Sequence, residues 1–211
     1  MNSSELLEIK LPLPEFRQDS SLFNALKSRK TTREMMSSPL SVQMISNLLW
    51  SANGENRKIG PFGVSGRTAA SASNSQEIDI YVALQEGAYL YDAHQLILTP
   101  IVAKDLRFSA LTPGQQITKE IAPVQLIYVA DIHRLTHTKG FQEPGLKDPE
   151  VQKSYYYVDT GLIAGNVYLF AASQGMASWF HNCDKISMTK QLSLREEQRV
   201  LFAQSVGFSK K

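Results

Sequence analysis

Residues 155–174 form the longest helical stretch the sequence offers, apolar on most faces and closed by Gly175. A helix without a polar side has nothing to offer water, so it must be buried in a core or against another subunit. The rest of the chain has to supply that burial. The clearest supplier is the run at 124–130, Val-Gln-Leu-Ile-Tyr-Val-Ala, nearly continuous apolar residues of strand length opened by Pro123. Such a run belongs in the middle of a sheet that is covered on both faces.

A second strand is Ile78-Asp79-Ile80-Tyr81-Val82-Ala83-Leu84, which alternates polar and apolar at its start. Gln85-Glu86-Gly87 supplies a turn, and residues 88–91 can return as the second arm of a hairpin. Upstream, Ser21 can cap a short helix holding Leu22, Phe23, Ala25 and Leu26. Ser41 caps a clearer one, with Val42, Ile45, Leu48, Leu49 and Ala52 on one face and Gly54 just past its end. Leu11-Pro12-Leu13-Pro14 cannot continue a helix, so residues 1–20 read as an extended arm across a partner or the chain's own body.

Three stretches read as irregular or terminal. Residues 54–77 hold glycines at 54, 60, 63 and 66, several serines and no apolar periodicity; so long a connection is usually functional or disordered. Residues 138–153, with Gly140, Pro144, Gly145 and Pro149, read as a mobile surface loop. Ser193-Leu194-Arg195-Glu196 has the form of a capping box that opens a last short helix, and residues 206–209 a final extended piece. Helices and strands mix without strict βαβ alternation, which points to an α+β fold rather than a doubly wound sheet. At 211 residues the chain fits a single domain, 1–211, with a real core.

The formal net charge is +2, which argues against a nucleic-acid partner or a polybasic membrane face. No apolar run is long enough to span a bilayer, and residues 1–10 lack the apolar core of a signal peptide. Cys183 is the only cysteine, which excludes an internal disulfide and a cysteine-based zinc site. This agrees with a reducing cytoplasm, export remaining open if a signal sequence precedes the chain.

Two segments carry candidate chemistry. Arg29-Lys30-Thr31-Thr32-Arg33 gathers three cations and two hydroxyls, the donors a phosphate needs. Taken alone, such a cluster is more often a solvated basic turn. In residues 66–76, Gly-Arg-Thr-Ala-Ala-Ser-Ala-Ser-Asn-Ser-Gln, small side chains let a flat ring lie against backbone, and Asn74 and Gln76 can both donate and accept. The plain alternative is a serine-rich linker. His133 and His137 have metal-ligand spacing on a helix, but Arg134 stands where a zinc protease has glutamate, so they read as surface histidines. Glycines 60, 63 and 66 match neither a Rossmann fingerprint nor a P-loop, and no serine or cysteine has the context of an activated nucleophile. If the chain is an enzyme, a cofactor carries its chemistry.

Taken in order, these segments resemble the nitroreductase-like flavoproteins over most of the chain, most closely the branch that includes dehydrogenases of azoline-modified peptides. That family opens with a basic Arg-x-Ser-x-Arg pattern for the FMN phosphate and ribityl chain, and Arg29, Thr31 and Arg33 stand in those places with Lys30 between. The branch then carries Arg-Thr-x-Pro-Ser-x-Gly before a Tyr-Val strand. Here Arg67-Thr68-Ala69-Ala70-Ser71-Ala72-Ser73 leads to Tyr81-Val82, with Ala70 for the proline and Ser73 for the glycine. Asn74-Ser75-Gln76 resembles the Asn-Ser-Gln of the broader family.

The resemblance implies a nitroreductase-like fold: a mostly antiparallel central sheet flanked by helices, with the long helix at a homodimer interface. Residues Ser71, Ala72, Ser73, Asn74 and Gln76 would touch a flavin bound mainly by the other subunit. Gln115 falls where the family sets an amide against the ring, Thr118 where a lysine often stands, with Lys119 adjacent. Gly175-Met176-Ala177-Ser178-Trp179 resembles the turn after the interface helix, and backbone at 180–182 would approach flavin N5. Lys210 and Lys211 would supply a C-terminal cation for the phosphate. The implied activity is hydride transfer from NADH or NADPH through FMN to a small electrophilic acceptor such as a nitroaromatic or quinone, in ping-pong order. Dehydrogenation of a peptide azoline and non-catalytic flavin binding are the alternatives. No side chain is implied as acid or base.

Overall fold

A computed structural model describes residues 5–15, 21–116, 120–140 and 144–210. Its centre is a seven-stranded sheet in the order β1-β6-β5-β4-β7-β9-β8, antiparallel throughout. The strands are β1 (Ile9–Lys10), β4 (Ile78–Ala83), β5 (Ala88–Asp92), β6 (Ile97–Val102), β7 (Val124–Asp131), β8 (Met176–His181) and β9 (Gln198–Phe208). A separate small ribbon pairs β2 (Glu55–Arg57) with β3 (Gly66–Arg67). The helices are α1 (Leu22–Ser28), α2 (Val42–Asn53), α3 (Ile132–Thr136), α4 (Pro149–Ser173) and α5 (Lys185–Gln191).

The strand period of two sorts the core. Ile78, Ile80 and Val82 of β4 and Leu126, Tyr128 and Ala130 of β7 face α2 and α4, where they meet Leu48, Leu49, Ala52, Ile163, Ala164 and Val167. Tyr81, Ala83, Ile127 and Val129 point the other way, onto Leu106, Ala110, Met188 and Leu192. All eight residues of β7 are buried, which is why that segment reads as a continuous apolar run.

Local signals explain most element ends. The Ser21 and Ser41 hydroxyls accept from the Asn24 and Met44 amides, the capping bonds expected of them. Gly54 closes α2 in extended rather than left-handed backbone, with its amide on Trp50 O and no room for a Cβ against the Trp50 ring. Residues 9–10 pair with β6, and the proline stretch crosses α2, where Ser46 Oγ donates to Pro12 O and Gln43 Nε2 to Leu13 O. Residues 9–13 of the arm therefore lie on the chain's own body.

Three expectations are corrected, and one strand, β6, carries no clear signal in the sequence. Residues 54–77 are organised by the β2–β3 ribbon and two 3-10 turns, Pro61–Gly63 and Ala72–Asn74. Thr99 and Pro100 break the apolar pattern of β6; Pro100 sits beyond the two rungs made by β1, where its missing N–H breaks no bond. The supposed mobile loop at 138–153 already contains the first turns of α4, with Asp148 as N-cap and Pro149 at N1. No helix starts at Ser193. That residue ends α5 instead, at φ 52, with its amide on Lys190 O and the Leu194 amide on Thr189 O, the paired bonds of a Schellman end.

Candidate functional site

The basic segment follows α1 and runs beside β8. The Thr32 amide donates to Ser178 O, Met35 bridges Ser209, and the Lys210 amide reaches Glu34 O. Its side chains meet two aromatic rings. The Arg29 guanidinium lies 5.4 Å from the centre of the Tyr168 ring, and that of Arg33 lies 5.5 Å from the Trp179 ring. Stacking holds a guanidinium in place without neutralising it. The Tyr168 hydroxyl accepts from the Phe180 amide at 2.9 Å and sits 3.1 Å from Thr31 Oγ1, tying helix, strand and basic segment together. Arg29, Lys30 and Arg33 are exposed and form no ion pair with a described residue.

Lys210 joins this group from the C-terminal side and pairs with Glu120 at 2.8 Å. Gln115 ends a 3-10 turn in which its Oε1 accepts from the Thr112 amide, so its carbonyl serves the local fold. Thr118, Lys119 and Lys211 lie outside the described residues.

The 71–76 loop sits elsewhere. The Ala72 amide donates to Asp159 Oδ2 at 2.9 Å and Ser73 Oγ to Gly140 O. Asn74 Nδ2 donates to Pro61 O and Ser65 O, and Gln76 Nε2 to Ser65 O and Asn74 Oδ1. Gln76 Oε1 accepts from Arg67 Nε. The amides that looked free to meet a ligand are thus committed to each other and to the β2–β3 ribbon. Ser73, Asn74 and Gln76 all have left-handed backbone, at φ 49, 54 and 50. Such conformations in non-glycine residues persist only where the surroundings fix them.

Asp159 and Tyr168 lie nine positions apart on α4, about 14 Å at 1.5 Å per residue. One chain therefore keeps the loop and the basic segment separate. Along the same stretch α4 turns Val158, Gly161 and Leu162 outward; Val158 is 60% and Leu162 45% exposed. The burial the sequence demanded for this helix is met inside the chain on only one side.

Sequence reasoning missed Tyr168, Asp159 and Glu77. Tyr168 resembles any core aromatic of a buried helix until β8 is seen to approach it. His133 and His137 stack on the exposed side of α3 with ring centres 4.0 Å apart. No group of three His, Cys, Asp or Glu among the described residues could hold a metal. No described helix is long and apolar enough to cross a membrane.

Residues 26–208 match the nitroreductase family model, and the chain belongs to the nitroreductase family, whose members are generally flavin-dependent oxidoreductases. It is 31% identical over 184 residues to a protein of Methanocaldococcus jannaschii named, provisionally, as a nitroreductase, covering 82% of this chain and 83% of that one. A crystal structure from Ralstonia eutropha JMP134, given the same provisional name, superposes with TM-score 0.82 at 30% identity, over 100% of this chain and 92% of that chain. The fold also matches a chain of the Escherichia coli microcin synthetase McbBCD complex with truncated pro-MccB17 bound. There the TM-score is 0.71 at 16% identity, over 100% of this chain and 80% of that one.

Proposed function

We propose that the chain works as a homodimer that holds FMN between its subunits and uses NADH or NADPH to reduce a small electrophilic acceptor, such as a nitroaromatic or quinone. The observation that carries this reading is the set of exposed cations at 29, 30 and 33, two of them stacked on aromatic faces and none ion-paired with a described residue. Guanidinium forks held in place without a counter-ion fit a phosphate, and Thr31 adds a hydroxyl. Lys210 approaches from the other side. The chemistry the flavin supplies when bound is two-electron hydride transfer; the protein's part is binding, orientation and exclusion of water.

The outer face of α4 supports the dimer. Its outward Val158, Gly161 and Leu162 form an apolar stripe in which glycine permits close approach. If two copies cross there about a twofold axis, the loop end of one helix comes beside the Tyr168 end of the other. Each pocket would then take its phosphate grip from one subunit and residues 71–76 from its partner. We read residues 1–211 as one domain of a cytoplasmic protein, with neither nucleic acid nor membrane among its partners.

A second reading keeps the flavin and changes the acceptor to a peptide azoline. It is favoured by residues 67–73 leading to Tyr81-Val82, and by the shared fold with a chain of a complex that holds a peptide precursor. The visible spectrum of purified protein, before and after anaerobic NADH or NADPH, tests the common core. A yellow protein that bleaches supports it, and one that stays colourless after FMN is added refutes it. Steady oxidation of NADH or NADPH with quinones separates the two acceptor readings. Leu162→Arg should turn the dimer into a monomer in sedimentation and weaken FMN binding with it.

A further inference from the structure

Two carboxylic acids face each other beneath the 71–76 loop. Glu77, at the foot of β4, is fully buried, and Asp159, on the inner side of α4, is 4% exposed. Each holds one end of the loop's 3-10 turn: Asp159 Oδ2 accepts from the Ala72 amide at 2.9 Å, and Glu77 Oε2 accepts from Ser75 Oγ at 2.6 Å. The turn between these tethers contains the left-handed Ser73 and Asn74. The two bonds are therefore an outside constraint on a conformation the chain would not keep unaided.

Charge sharpens the point. Two buried carboxyls hold the same turn, yet Glu77 Oε1 meets no hydrogen-bond partner among the described residues. A proton on Glu77, donated to the Asp159 carboxylate, resolves both facts at once. The neighbouring charges do not neutralise the pair. Arg67 of β3 gives its Nε to Gln76 Oε1, and Arg134 of α3 is bound to Gln76 O and to Asp79 of β4, with Asp131 of β7 close by. Among the described residues no cation bonds to Glu77 or Asp159, so two full negative charges there would repel without compensation.

We propose that Glu77 and Asp159 share one proton and, as a singly charged pair, hold residues 71–76 in the shape that receives the flavin, acting as positioning residues for cofactor binding. The proposal rests on the reading that this loop meets FMN. Burial first, and then the charge of Asp159, pushes Glu77 up to about 7; burial also raises Asp159. Loss of the shared proton to solvent leaves two repelling carboxylates and slackens the tethers at Ala72 and Ser75. FMN should bind more weakly as pH rises through neutrality.

The test measures FMN affinity by quenching of flavin fluorescence on apoprotein from pH 5.5 to 8.5, for wild type, Glu77→Gln and Asp159→Asn. Both amides keep the shape of the pair and remove the second charge. The FMN phosphate titrates near pH 6, so the quantity compared is the ratio of wild-type to variant dissociation constants. That ratio should rise about tenfold between pH 6 and 8, as a proton lost from the free protein near neutrality and kept in the complex requires. A ratio flat with pH for both variants overturns the proposal.

The melting temperature of flavin-free protein gives a second readout. Wild type should lose stability between about pH 5 and 7 while Glu77→Gln does not. If FMN binds and neither readout differs from wild type, the shared proton is wrong and the flavin reading stands. If only the melting difference appears and no form binds FMN, the shared proton stands and its cofactor role falls with the flavin reading.

Discussion

Arg134→Met isolates one charge at the root of the candidate site. Arg134 Nη2 bonds both oxygens of Asp79 at 2.9 and 3.0 Å, and Nη1 donates to Gln76 O at 2.8 Å. The Asp79 side chain is 14% exposed and the Arg134 side chain 41%. Removing one partner of a fully buried pair costs about 3–5 kcal/mol, and the exposure of Arg134 scales this to about 2. The lost bond to Gln76 O adds about 1 kcal/mol. Urea unfolding should therefore show a deficit of about 3 kcal/mol at neutral pH with unchanged slope.

The pH dependence has a definite sign. Burial already holds the Asp79 carboxyl above its ordinary value, while Arg134 pulls it down. Without the arginine it rises further. A carboxyl raised in the folded state keeps its proton longer than the unfolded chain does, so its stability contribution is present at low pH and lost as pH rises. The Arg134→Met deficit should thus be small near pH 4 and grow toward neutrality, and adding Asp79→Asn should recover about 2 kcal/mol. A deficit under about 1 kcal/mol, one that shrinks with rising pH, or no recovery in the double variant would refute the reasoning.

Tyr168→Phe removes the hydroxyl shared by the Phe180 amide and Thr31, worth about 1–2 kcal/mol in total; FMN affinity should fall about tenfold in a fluorescence titration. Cys183 is buried, and its thiol is pushed up to about 12 by that burial. It should resist a thiol-disulfide reagent at pH 8 in the native protein and react at once in urea.

What was legible in the sequence follows from how local each signal is. Residues 124–130 announce a doubly covered strand because every position is buried, and Ser21 and Ser41 announce helix starts because the bonds they make are three residues away. Ser193-x-x-Glu196 misleads for the same reason. The spelling fits a helix start, but α5 has just ended there, and only Asp184 upstream reveals it. The proline at 149 has the spelling of a breaker, yet it stands in the first helical turn, where an N–H has no partner within the helix. In the site, the basic cluster could be read because its residues are adjacent. Tyr168, and Glu77 with Asp159, could not, since their partners arrive from other elements after folding.

The N-terminal arm has a further consequence. It covers β6 with two residues only, and the uncovered part of that strand begins just where Pro100 has no hydrogen to offer. Between them, arm and proline leave an incoming strand little to pair with, so the sheet is protected from growing by addition of another molecule on this side. Trimming the first fifteen residues for convenience in expression would uncover Ile97 and Leu98 and the backbone groups beside them. The shortened protein should lose the Leu11 contact at the edge of its core and clump on standing, with the stickiness at the rim of the sheet.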